Sequence, residues 1–239
     1  MNIYLAIDDT DNLESFGTGR MSRILADDLR QRGLIAEFSV TRHQFLVHPD
    51  IPYTSHNSDA CIAASAPGED PEAVAQAAVN FLGEHFHAGA NPGLCLVRQE
   101  SVPGELVDFG RRAQREVLDL DEGRALAALP GLITWWGGQT GQGIIGALAG
   151  VGLRSTQDDG RYIGLTGIRQ IRGVQSVEAI LAQAPIAAVI SEQGQELDRE
   201  ESVDTEDWVR PSLRQGRIVL LVERDGQRWR PLDKKKKDK

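Results

Sequence analysis

Apolar and polar positions along the chain switch between short continuous runs and a spacing of three to four, which predicts strands and helices in alternation. Residues 3–7 form an apolar run that stops at acidic residues, the pattern of a buried strand feeding a loop. Met21, Ile24, Leu25 and Leu29 then recur at helical spacing across 17–32, and Gly33 supplies the stop. A strand near 36–40, a helix opened by Asp70 and Pro71 and reaching about residue 85, and a strand at 93–97 follow. Residues 107–129 read as two helical pieces, broken by Pro130 and Gly131. After the break come an apolar run at 132–136, a glycine-rich turn and a helix through 144–149. The last third predicts a strand over 162–168, a helix over 176–184, and a hairpin in which Asp225 and Gly226 join 217–223 to 228–230. The pattern predicts an α/β protein, two-lobed, with mixed sheets and covering helices. Its seam is placed near Pro130, giving lobes at 1–130 and 131–233 and a basic tail at 234–239.

Composition adds little at first: 239 residues with 41% hydrophobic and 26% charged positions fit an ordinary globular protein. Charge changes the picture. All five lysines fall at Lys234, Lys235, Lys236, Lys237 and Lys239, so the body is more acidic than the whole-chain net charge of −9. A body without lysine has no Walker-A loop, no Schiff-base amine and no kinase-type strand lysine. It is also a poor default partner for nucleic acid, whose binding rests on phosphate neutralisation, although a local Arg-lined groove is compatible with it. Cys61 and Cys95 sit in apolar surroundings without metal-ligand spacing and are expected to be reduced core residues. No basic region precedes the first apolar run, and no apolar stretch approaches ~18 residues. The expectation is a cytoplasmic protein without signal peptide or membrane span.

Candidate chemistry begins where the first strand ends. Asp8, Asp9 and Asp11 follow the apolar run directly. Side chains alternate along a strand, so only a turn can converge all three, and converging carboxylates call for a hard cation such as Mg²⁺. The alternative is a solvated acidic turn that caps the next helix. A few residues on, Gly17, Thr18 and Gly19 open that helix, whose free amides suit an anion. Together the two elements can hold the ends of a Mg²⁺-polyphosphate such as ATP without lysine, with Thr18 the best-placed hydroxyl for a phosphoryl group; a flexible loop with a threonine cap is the plainer reading.

The string Ile7-Asp8-Asp9-Thr10-Asp11 resembles the signature of archaeal agmatidine synthetase, the ATP-dependent enzyme that modifies the wobble cytidine of an isoleucine tRNA. Four further segments agree in order. Residues 48–57, from His48-Pro49-Asp50-Ile51-Pro52 to His56-Asn57, resemble a central loop of that family. Asn91-Pro92-Gly93 is similar to its Asn-Pro-Gly turn, 141–149 to its glycine-rich helix start, and 172–177 to a later segment. The resemblance implies a kinase-like region that binds Mg²⁺ and ATP through the aspartate loop and transfers phosphate to activate a carbonyl for amine attack. It implies a phosphate role for Thr18 and substrate contacts for Asn91 and Gly93. Departures accompany it: Gly17 and Gly19 replace a Cys and a Thr, while Thr54 and His56 replace a Lys and an Arg. The family's OB-fold and zinc ribbon, which hold the tRNA, have no counterpart, and the acidic body speaks against tight tRNA binding.

Other constellations refine the site. Arg42, His43, His48 and His56 share a polar loop with Tyr53, Ser55 and Asn57. The spacing matches no standard zinc pattern, so the loop is expected to contact substrate through His43, His56 and Asn57, with Arg42 a phosphate clamp. Gly141, Gly143 and Gly146 match a dinucleotide fingerprint literally, but mid-chain and without the downstream acid. They are read as a helix start contacting phosphate, against close helix packing as the alternative. The leading expectation is a Mg²⁺- and ATP-dependent phosphoryl-transfer enzyme acting on a nucleoside or small-molecule acceptor. A nucleotide- or metabolite-binding module without turnover is the second, and a haloacid-dehalogenase-type phosphatase, suggested by Asp9-Thr10-Asp11, the third.

Overall fold

From Ile3 to Ile7, every residue of the first strand, β1 (Asn2–Asp8), is buried, so both faces of its sheet must be covered. In the computed structural model, which describes residues 1–54 and 56–232, they are. The chain continues through α1 (Thr18–Gln31), β2 (Phe38–Arg42), β3 (Ala60–Ser65), α2 (Pro71–His85), β4 (Gly93–Arg98), α3 (Gly104–Ala113), α4 (Leu120–Ala127), β5 (Ile133–Trp136) and α5 (Gly143–Ser155). The strands pair antiparallel in the order β5-β4-β1-β3-β2. Tyr4, Ala6, Cys61, Cys95 and Val97 point to one face, where Leu106 and Phe109 of α3 and Ile144, Leu148 and Val151 of α5 cover them. By alternation Ile3, Leu5 and Ile7 point the other way, toward α1 and α2, whose Met21, Leu25, Leu29 and Leu82 are equally buried. Each such side chain contributes about 1.5–3 kcal/mol by leaving water. Cys61 and Cys95 are free and buried on either side of Ala6, as expected of core thiols. Burial pushes the Cys95 thiol up to about 12, which keeps it unreactive.

The start signals act as read. Asp70 caps α2 by accepting the Ala73 N–H at 3.1 Å, with Pro71 in the first turn. β3 is absent from the sequence reading because Ala-Cys-Ile-Ala-Ala-Ser carries one β-branched residue and no alternation.

The chain divides into two compact units at Thr156/Gln157, which corrects the seam expected near Pro130. Pro130 only ends a helix: β5 beyond it pairs with β4 from Gly93 to Leu96, and α5 packs on β1 and β4. The second unit comprises β6 (Arg161–Gly164), β7 (Val174–Ser176), α6 (Val177–Gln183), β8 (Ala188–Ser191), β9 (Ser202–Asp204), β10 (Ser212–Arg214), β11 (Arg217–Asp225) and β12 (Arg228–Pro231). Its pairing is mixed, with β8 parallel to β11 and β9 parallel to β12. The expected hairpin is present, closing at Asp225 and Arg228 through Gly226 at φ 64°. Both units mix strands and covering helices, an α/β architecture. Ser55 and the lysine tail lie outside the described residues.

Candidate functional site

Strand register gathers the candidate residues of the first unit at one edge of its sheet. Asp8 ends β1 opposite Gly93, which in turn faces Trp136 at the end of β5. On the other side Ile7 pairs Ala60, so Asp59 falls beside Asp8, and β2 ends at Arg42 on the same edge.

The helix α5 reaches this edge through its glycines. Gly93 and Gly143 are buried so closely that a Cβ on either would overlap the other's backbone. A Cβ on Gly146 would strike the Asp8 carboxylate, and one on Gly150 that of Asp59. Gly146 and Gly150, four apart on one helix face, are notches that admit two carboxylates. Of the glycines expected to meet phosphate or substrate, Gly93 and Gly143 are packed against backbone and Gly141 lies under the Trp136 ring.

Two carboxylates side by side beneath a helix repel. Burial, then Asp59 and Asp9, hold the Asp8 carboxyl well above the usual range. Asp59 is matched by His43: the backbone N–H donates to Oδ1 at 3.0 Å, and ring Nδ1 lies 3.0 and 3.2 Å from the two oxygens. Both side chains are completely buried. This corrects the expectation that His43 contacts substrate from a polar loop; it faces inward because Asp59 needs a partner.

Asp9 turns off the strand at φ 50°, a conformation uncommon for a residue with a side chain. Its carboxylate accepts from Gln142 Nε2 at 3.2 Å. Burial and then Asp11 push its pKa up, while bonds from Gln142 and the Asn91 backbone N–H oppose them. Asp11 Oδ1 accepts from the Thr18 N–H at 3.3 Å and from the Thr18 hydroxyl at 2.9 Å, and Oδ2 accepts from Thr54 Oγ1 at 2.7 Å. Asp11 therefore serves the start of α1, where Gly17 offers no side chain. The three aspartates face three sets of partners. Among the described residues no group of three or more His, Cys, Asp or Glu is arranged to hold a metal ion, so the expected convergence of all three is corrected: Asp8 stays in strand register under α5 while Asp9 and Asp11 turn away.

Thr18 is 7% exposed, and its hydroxyl accepts from Thr10 Oγ1 at 3.1 Å while donating to Asp11. That is the spacing of a hydroxyl and its general base, turned inward. Asn91 Oδ1 accepts the Gln139 and Thr140 N–H groups at 2.9 and 2.8 Å, bracing the loop before α5. Asn57 Nδ2 donates to the Leu46 carbonyl at 2.7 Å and pins its own loop. His56 is exposed and Arg42 half-buried. Sequence reasoning missed Asp59 and Gln142. Asp59 had a signal: it opens an apolar run as Asp8 closes one.

This geometry defines a class: an α/β unit with an aspartate loop at the sheet edge, backed by a glycine-notched helix. No family model matches the chain. The resemblance read from the sequence nonetheless stands. The chain is 26% identical over 162 residues to TiaS of Methanosarcina mazei, a tRNA 2-agmatinylcytidine synthetase specific for an isoleucine tRNA, covering 65% of this chain and 37% of that protein. It is 25% identical to TiaS of Methanosarcina acetivorans, covering 63% and 35%. Among solved structures, a tRNA fluorescent labeling enzyme (24% identity, TM-score 0.55, 64% of this chain and 36% of that one) and a complex of TiaS with its isoleucine tRNA and ATP (23%, 0.55, 64% and 36%) share the fold. The chain spans little more than a third of the length of these relatives. Among the described residues no helix is long and apolar enough to cross a membrane.

Proposed function

We propose that the chain is a Mg²⁺-dependent, ATP-using phosphoryl-transfer enzyme that activates a carbonyl of a nucleoside or small molecule for attack by an amine. The observation that carries this reading is the crowding of carboxylates at the sheet edge, where Asp8 and Asp9 are both held above the ordinary range, Asp8 by burial and repulsion from Asp59, Asp9 and Asp11, and Asp9 by burial and repulsion from Asp11. A cation beside them would relieve that repulsion. Mg²⁺ takes one or two carboxylates and completes its shell with water and phosphate oxygens, which suits Asp9 and Asp11, with Asp8 and Asp59 adding negative potential behind. When bound it would neutralise charge on the transferring phosphate.

The chain's own residues then divide the work. Gln142 and the Asn91 backbone hold Asp9 in its turned-out position. Asp11 accepts the Thr18 hydroxyl's hydrogen bond and would take its proton as that oxygen bonded to the transferred phosphorus and the nucleotide left with the broken P–O bond. Arg42, His56 and Asn57, on the edge and its adjoining loop, are the acceptor-side candidates, with Asn91 as the brace. Similarity to TiaS, one of whose solved structures holds tRNA and ATP, supports the nucleotide. The acidic body argues against tight tRNA binding, so a nucleoside-sized or small acceptor is the proposal.

The inward Thr18 hydroxyl favours one second reading, a nucleotide-binding module without turnover. Incubation with ATP, Mg²⁺ and candidate acceptor–amine pairs separates the two. Acceptor-dependent release of ADP or AMP, lost in Asp9→Asn, is expected. Bound nucleotide without product, seen by mass spectrometry across the acceptors, would favour the module.

A further inference from the structure

The second unit carries a cluster of cations that the proposed chemistry does not use. Along its 167–173 loop, Ile168 and Ile171 are fully buried with Val177, Ile180 and Val209, which leaves Arg169 and Arg172 exposed. The loop is fastened to 205–206: the Gly173 N–H donates to the Glu206 carbonyl at 3.0 Å, and the Thr205 N–H and hydroxyl donate to the Gly173 carbonyl at 2.9 and 3.0 Å. Fixed in this way, the Arg169 guanidinium lies 4.1 Å from the centre of the Trp208 ring, and that of Arg210 lies 4.3 Å from the same ring. Arg172 Nε donates to the Arg169 carbonyl at 3.0 Å.

Three guanidiniums thus share one small surface of an acidic protein. Among the described residues, no carboxylate forms an ion pair with Arg169 or Arg172; their polar contacts are the Ile163 and Arg169 carbonyls. Burial, then repulsion from Arg210 and Arg172, lowers the Arg169 pKa, which puts all three cations within electrostatic reach of one another. Stacking on an indole steadies a guanidinium through its face and leaves its N–H edge for a planar fork of hydrogen bonds.

The geometry points to an oxyanion site in the second unit, where Arg169, held on Trp208, and Arg172 on the same loop receive a phosphate group. Phosphate fits better than carboxylate: it brings more than one charge and several peripheral oxygens to more than one fork. Glu206 and Asp207 border the patch, so a multiply charged ligand is needed to compete. The phosphate is either free in a small anion or part of a nucleic-acid strand.

The 239-residue chain carrying Asp9→Asn, kept in EDTA, has the Mg²⁺ site proposed for the first unit silenced, so this test is independent of it. It is titrated with pyrophosphate and, separately, a single-stranded oligonucleotide, followed by tryptophan emission and heat. Saturable binding is expected, weakened about tenfold or more in an Arg169→Ala/Arg172→Ala double variant. An Arg169→Lys/Arg172→Lys variant is expected to recover only part of it, because ammonium lacks the fork. Binding of pyrophosphate assigns a small anion, and binding of the oligonucleotide alone assigns a strand. No binding of either probe, or equal binding by the alanine variant with an unchanged melting curve, overturns the site.

Discussion

Asp8 sets the electrostatics of the candidate site one residue at a time. Its carboxyl is raised by burial and by Asp59, so the folded state holds this proton more tightly than the unfolded chain, whose aspartates titrate near ~3.9. The associated stability is full below that pH and is lost as pH rises through the raised value. Asp8→Asn should therefore melt above the wild type at pH 7, with the gap closing toward pH 4; parallel melting curves at both pH values would contradict the assignment. The sequence showed Asp8, Asp9 and Asp11 as a charged string because hydropathy marks where a strand stops. It could not show that they face different partners, since that depends on the left-handed turn at Asp9 and on α5, more than 130 residues away. His43 was misplaced for a related reason: its partner Asp59 lies 16 residues on, just before β3.

At the scale of elements, α5 shows how a correct helix can carry a misleading motif. Its glycines looked like a phosphate-binding fingerprint, yet they are spaced to let one helix lie against strand ends and two carboxylates. Local pattern reports periodicity; only the packed partner reveals why a side chain is missing. Gly146→Ala should accordingly destabilise the protein by about 1–3 kcal/mol in a denaturant titration, overpacking outweighing better helix propensity. Gly83, in α2 with nothing near its would-be Cβ, is the matched control: Gly83→Ala should stabilise by about 0.5–1 kcal/mol. The reverse order would refute the notch. Helices with capping signals, such as α2 with Asp70, were legible because cap and first turn are adjacent in sequence. The short strands β7, β9 and β10 were not, each being three residues held by pairing rather than by its own pattern.

The molecule as a whole combines two compact units, each with its own core. The expected α/β class was legible from alternating periods. The seam was not, because Pro130 and Gly131 mark a chain turn as strongly as a unit boundary, and the pairing of β5 with β4 is a long-range fact. On this account nucleotide acts at the edge of the first sheet: adding Mg²⁺ and ATP should slow amide exchange at 8–19 and 137–146, whereas slowing confined to 157–232 would place the site elsewhere. The lysine-free body gives the central claim its sharpest form, since carboxylate-held Mg²⁺ must do what a lysine does in other phosphate sites. Calorimetric titration of the full chain with ATP, with and without Mg²⁺, in wild type and Asp9→Asn, tests it most directly. The account predicts binding that needs Mg²⁺ and weakens about tenfold or more in the variant; no Mg²⁺-dependent binding, or equal binding by both proteins, would contradict it.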